Sequence, residues 1–197
     1  MFRILIYKEF KELIHSYKTY LTAAVVIFFY LIFPIIKNVE ELPTYVLVMM
    51  MQMVIAQYIY DSMLDDLNNG NFRFLLNINV KFSSYILPKI VISILGGVIL
   101  FSIFFKILIT DFTLLDFGWI FLSIINSCLL MFLFTGFMKQ NEMSVTFIGT
   151  VFLGIIMVCL YNITFILCKY ILCIFLFVLF YGLGRKLFNS KLLRERI

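Results

Sequence analysis

Histidine, charge and every common catalytic motif are scarce or missing here, and each gap removes a class of function. The one histidine, His15, rules out a multi-histidine metal site and the paired-histidine helix of zinc proteases. No G-x-x-x-x-G-K-[ST] loop is present, so the chain has no phosphate cradle for hydrolysing ATP by itself. No G-x-S-x-G turn exists to present a nucleophilic serine. Charged residues make up only 14% of the chain, against about 25% in soluble domains. The four cysteines, Cys128, Cys159, Cys168 and Cys173, sit inside apolar runs at spacings that suit neither a thiolate metal site nor a disulfide framework. They read as small buried hydrophobes. The chain is expected to be no enzyme, to hold no metal and to carry no cofactor of its own.

What fills the sequence instead is apolar. Of its 197 residues, 63% are hydrophobic and 18% aromatic, with a mean hydropathy of +1.07. Six apolar runs, at about 19–36, 45–60, 90–109, 119–138, 145–160 and 168–183, approach the length that crosses a bilayer at the helical rise. The expected fold is an all-α membrane protein forming one transmembrane domain, with six spans and a tail at 184–197. The second, fifth and sixth runs are short, which calls for upright helices, local thinning or tyrosine anchors at their ends. Between the fifth and sixth, only Lys169 interrupts the apolar sequence. Two spans with a turn near Tyr161-Asn162 and a re-entrant hairpin before the last span both fit.

Basic residues set the orientation, because Lys and Arg near span ends stay on the cytoplasmic side. With both termini inside, only Lys37, Lys106 and Lys169 of the 16 basic residues lie outside. The expected location is the plasma membrane of a bacterial cell, multi-pass, with both ends cytoplasmic. The +5 net charge then reflects topology and needs no nucleic-acid partner. Residues 1–18 read as an amphipathic helix on the inner surface, with Phe2, Ile6, Phe10, Leu13 and Tyr17 on the membrane side. Lys8, Glu9, Lys11, Glu12 and His15 project elsewhere. No Asp or Glu lies mid-span, unlike the ionisable relays of ion-coupled transporters. Gln52, Met53, Gln57, Asn126 and Ser127 are the candidates for lining a pathway, and hydrogen bonding between helices is the competing role of the polar ones. Gly96-Gly97 reads as a close helix-packing site.

Residues 61–89 make an inner segment far longer than the usual helix connection of 2–8 residues. Met63, Leu64 and Leu67 form one apolar stripe, Asp65 and Asp66 face away from it, and Gly70 stops the helix. Asn69, Phe72 and Arg73 continue the same surface. A short helix against the inner membrane face, aiming acidic and amide groups at the cytosol, reads as a docking element, with an interfacial loop that meets no partner as the competing reading.

In these features the chain resembles the permease subunit of ABC exporters of the second class, which handle drugs, antibiotics, peptides and polysaccharides. The leader Tyr7-Lys8-Glu9-Phe10-Lys11-Glu12-Leu13 is similar to the family's surface helix. The stretch from Asp66 through Gly70, Leu75-Leu76 and Tyr85 to Lys89 is similar to its first inner segment. Asn79 departs from the proline often found after the Leu-Leu pair. The resemblance implies a second permease copy or sister subunit and a separate cytosolic ATPase dimer carrying ATP and Mg. Met63–Gly70 would be the coupling helix. The apolar spans suit an amphipathic or hydrophobic cargo, such as an antimicrobial peptide, with immunity or antibiotic resistance as the outcome. The competing reading is a non-transporting immunity or sensor protein that binds a toxin or a partner helix.

Overall fold

The computed structural model describes residues 2–37, 44–69, 71–78, 80–111, 113–137 and 142–189. Among these the chain is helical, with elements α1 (Phe2–His15), α2 (Tyr17–Lys37), α3 (Thr44–Asn68), α4 (Asn71–Asn77), α5 (Phe82–Asp111), α6 (Leu114–Phe137), α7 (Glu142–Asn162) and α8 (Ile166–Phe188). Four helices contain a stretch long and apolar enough to cross a membrane: Val46–Asn68, Phe82–Leu100, Leu115–Gly136 and Ile166–Phe188. α2 and α7 contain the shorter apolar segments Tyr17–Phe28 and Val151–Asn162.

The helix bounds revise the short runs read from hydropathy. α3 has 25 residues, α7 has 21 and α8 has 23. At the α-helical rise of about 1.5 Å per residue each reaches 30 Å or more, and α3 and α8 are among the helices long and apolar enough to cross a membrane. Polar residues at the helix ends had masked this length. Where a hairpin was an option, two long helices meet through residues 163–165, and Lys169 lies inside α8.

α6 is the spine of the bundle: α3, α5, α7 and α8 all pack against it. α2 leans on α3, and α1 lies across α3 and α5. The α3–α6 seam holds Gln52, which hydrogen-bonds Ser123, and Ser127, whose Oγ lies 3.4 Å from Gln52 Oε1. The α6–α8 seam is bonded by Asn126 Nδ2, which donates to the Cys173 carbonyl at 3.0 Å. Gln52, Asn126 and Ser127 are therefore buried and bonded at inter-helix seams among the described residues. Gln57 donates to Asp61 on its own helix at 3.0 Å. Met53 alone of the five borders an open apolar groove, about 460 Å³, between α3 and α7.

The glycine pair divides its work. A Cβ on Gly97 would stand 2.9 Å from Ile124 Cδ1, so this position lets α5 approach α6. Gly96 faces open space, with nothing within 4 Å. Cys128 and Cys173 are buried as expected, whereas Cys159 and Cys168 are exposed. The side chains of Lys37 and Lys106, with residues 138–141 and 190–197, lie outside the described residues.

Candidate functional site

One end of the bundle gathers α1, the end of α3, α4, the start of α5 and the end of α8. Aromatic packing fixes this end: Phe72 of α4 meets Tyr85 of α5 edge-on at 5.4 Å and Phe188 of α8 at 5.3 Å. Phe82 joins Phe132 of α6 at 5.1 Å and Phe188 at 5.6 Å. Offset and edge contacts of this kind add to the area they bury.

Inside this aromatic collar lies a buried ion cluster. α3 supplies Tyr58, Ser62 and Asp66, each four residues after the last, so all three share one helix face. α5 supplies Tyr85 and Lys89 at the same spacing, and α1 supplies Lys8, Glu9 and Glu12. Lys89 is 0% exposed, and its Nζ lies 2.7 Å from Glu9 Oε1 and 3.0 Å from Asp66 Oδ2. It also donates to Ser62 Oγ. Ser62 Oγ in turn lies 2.7 Å from Glu9 Oε2 and 2.9 Å from Glu12 Oε2, its single proton serving one of the two. Tyr58 donates to Glu9 Oε2 at 2.9 Å, and Tyr85 donates to Asp66 Oδ2 at 3.1 Å. Lys8 closes the ring, bonded to Asp66 and 2.9 Å from Glu12.

Three carboxylates thus face two ammonium groups, and hydroxyls occupy the remaining lone pairs. Such an arrangement is what a buried ion pair needs to offset its desolvation, and removing one partner leaves a bare charge. Burial raises the Glu12 pKa, and the neighbouring Glu9 charge raises it further, against the pull of Lys8. Burial pushes the Lys8 ammonium towards neutrality, yet Asp66 and Glu9 outweigh it and hold the pKa above normal.

This geometry corrects two sequence expectations. The coupling helix at Met63–Gly70 is not a separate helix, since Met63 to Asn68 are the last turns of α3. Asp66 does not face the cytosol, because Lys89 draws it fully inside, and Met63 is buried beside it. Asp65, Asn68 and Asn69 do face outward, with Leu64 and Leu67 half-buried. The long inner segment is mostly helix: α3 runs on to Asn68, α5 starts at Phe82, and seven-residue α4 lies between. α4 turns Phe72 and Leu75 inward and leaves Phe74 63% exposed, and Ile78, just past its end, is 47% exposed. Gly70 and the Arg73 side chain are outside the described residues.

α1 packs its charged side against the bundle. Its buried face carries Leu5 and Glu9, with Ile6 and Leu13 packed partly against the core. Phe2, Tyr7, Phe10, Ile14 and Tyr17 are exposed, as are Lys11 and His15, whose Nδ1 lies 2.8 Å from the Lys11 carbonyl. The charged side faces the bundle because Lys89 needs carboxylates there, and the aromatic side faces out. Ser16 forms the joint to α2, its Oγ accepting from the Thr19 amide at 3.3 Å as a helix cap.

Sequence reading missed Tyr58, Ser62, Tyr85 and Lys89 as one group. The available signal was polar residues at strict four-residue spacing on two apolar helices, with opposite charges at corresponding ends. Comparisons of the chain with protein-family models, with curated proteins and with solved structures find no match.

Proposed function

We propose that this chain is the membrane-spanning subunit of an ATP-driven exporter of the second ABC class, moving an amphipathic or hydrophobic cargo. In this reading α2, α3, α5, α6, α7 and α8 are six crossings, and the α1–α4 end lies in the cytosol. The observation that carries it is the placement of α4. It is a short helix with an exposed Phe74, followed by an exposed Ile78, beside Asp65, Asn68 and Asn69. It is held between the two helices that the ion cluster clamps together. A motor that pushes on a membrane subunit needs a complementary patch and a stiff path into the spans. Apolar anchors in a polar rim supply the patch, and the clamped α3–α5 pair supplies the path. The docking surface is thus α4 with the exposed tip of α3, in place of the acidic face of Met63–Gly70.

Exchange of Phe74→Asp together with Ile78→Asp tests this, since both side chains point outward and their loss spares the fold. A partner ATPase is expected to co-purify in mild detergent with the native chain. With the double variant, at least tenfold less should be recovered at unchanged membrane level. Equal recovery moves the docking site elsewhere. Absence of any ATPase with the native chain overturns the exporter reading in favour of a non-transporting immunity or sensor protein.

A further inference from the structure

We infer that the outward face of α1 binds the headgroups of anionic phospholipids in the leaflet around this end of the bundle. Besides His15, α1 carries three basic and two acidic residues, and folding sorts them. Glu9 is buried against Lys89, and Glu12 pairs with Lys8 on the bundle side. Arg3 and Lys11 stay exposed on the other side. Among the described residues no carboxylate pairs with either. The same face carries Ile4, Tyr7, Phe10 and Ile14, each at least 49% exposed. At about 100° per residue, Tyr7 and Ile14 fall between Arg3 and Lys11, with Phe10 and Ile4 just beyond. The ion cluster thus turns a helix of nearly balanced charge into one whose outer face is apolar, aromatic and cationic.

The depth of α1 fits the same occupant. Its bonds reach Tyr58, Ser62 and Asp66 of α3 and Lys89 of α5. These positions lie within the membrane-length stretches Val46–Asn68 and Phe82–Leu100. At the helical rise, Asp66 is about 3 Å and Tyr58 about 15 Å from the end of α3. α1 therefore lies along the wall of the bundle near its end, where a headgroup layer of about 5–7 Å meets the hydrocarbon. A helix with apolar and aromatic side chains amid basic ones lies in that layer and gains from anionic lipid. Zwitterionic lipid would cover the apolar strip but add nothing for the two cations. The acids bordering the far end of α1, Asp61 and Asp65, share a pocket with His15 and Lys18, and neither Arg3 nor Lys11 lines it. The inference holds whichever side of the membrane this end faces, with or without an ATPase.

The test uses the full chain in phosphatidylcholine nanodiscs containing a trace of phosphatidylglycerol or phosphatidylcholine with a diazirine near its glycerol. Crosslinks are mapped by peptide mass spectrometry. Residues 170–184 of α8 serve as reference, being uncharged and exposing an apolar face. The ratio of α1 to α8 labelling is expected to be about tenfold higher with phosphatidylglycerol, within what two basic residues contribute at a membrane surface. It should fall towards parity at about 1 M salt, where charges are screened beyond about 3 Å. Arg3→Gln with Lys11→Gln should also bring parity, and both positions are exposed and outside the ion cluster, so folding is spared. Arg3→Lys with Lys11→Arg should keep the preference. Equal ratios for the native chain, or a preference that survives the double glutamine variant or high salt, overturn the inference. Failure of either lipid to label α1 also overturns it, and leaves the face to an acidic protein partner or to solvent.

Discussion

Glu12 shows how much one side chain can report. Burial and the charge of Glu9 favour its protonated form in the folded chain. Its folded pKa thus exceeds the unfolded value of about 4.3. For a carboxyl group raised on folding, stability is present at low pH and is lost as pH climbs from the unfolded value to the folded one. Glu12→Gln removes that loss. The melting temperature of the variant relative to the native chain should rise from pH 4 upward and level off once the folded pKa is passed. Thermal unfolding in nanodiscs between pH 4 and 8 reads it, and a gap that widens on acidification contradicts it. The residue-level error in reading the sequence has the same origin. The apolar stripe Met63, Leu64 and Leu67 points Asp66 to solvent, yet an acid with two lysines and a tyrosine to bond is satisfied inside. No pattern in the 61–70 segment announces Lys89, 23 positions beyond Asp66.

At the scale of elements, the cluster joins three helices that adjacent sequence does not. Lys89→Met removes the buried counter-charge shared by Glu9 and Asp66 and leaves Lys8 alone to face three carboxylates, at a cost of about 3–5 kcal/mol. The expected result is loss of hydrogen-exchange protection throughout α1, with α6 unchanged. Lys89→Met combined with Glu9→Gln and Asp66→Asn should restore much of that protection, because no bare charge remains. If the single variant leaves α1 protected, the cluster is not what holds it. The existence of α1 and of the apolar runs was legible, since periodicity and hydropathy are local signals. Which side of α1 faces the bundle was not, because an amphipathic helix lying on a membrane can bury either side once protein offers charges of its own. The continuation of α3 to Asn68 and the start of α5 at Phe82 were hidden for a related reason. Polar turns at the end of an apolar helix look like a loop to a hydropathy window.

For the molecule as a whole, the six long helices alternate between two ends, and the α1–α4 end collects Arg3, Lys8, Lys11, Lys18, Lys81, Lys89, Arg185 and Lys186. The opposite end is fastened differently: Trp119 Nε1 donates to Asp116 at 2.8 Å, and Lys169 sits 4.9 Å over the Trp119 ring. In the proposed orientation, with positive charge on the inner side, the α1–α4 end is the cytosolic one. A cysteine at Asn69 should react with an impermeant maleimide only in inside-out vesicles. One at Thr113 should react only in intact cells. The reverse pattern, or both sites reacting from one side, would overturn the proposed six-crossing topology. The all-helical layout and the charge bias were plain in composition. The seams were not, since Gln52, Ser123 and Asn126 find partners 47 to 75 positions away.

The docking of α1 through Glu9 also changes what the first residues are for. A leader that only oriented insertion could be removed from the finished protein without consequence. Here its loss would leave the ammonium at position 89 in a dry slot with half its neutralising partners gone. The opening stretch is a plug for a hole that the rest of the chain cannot close by itself.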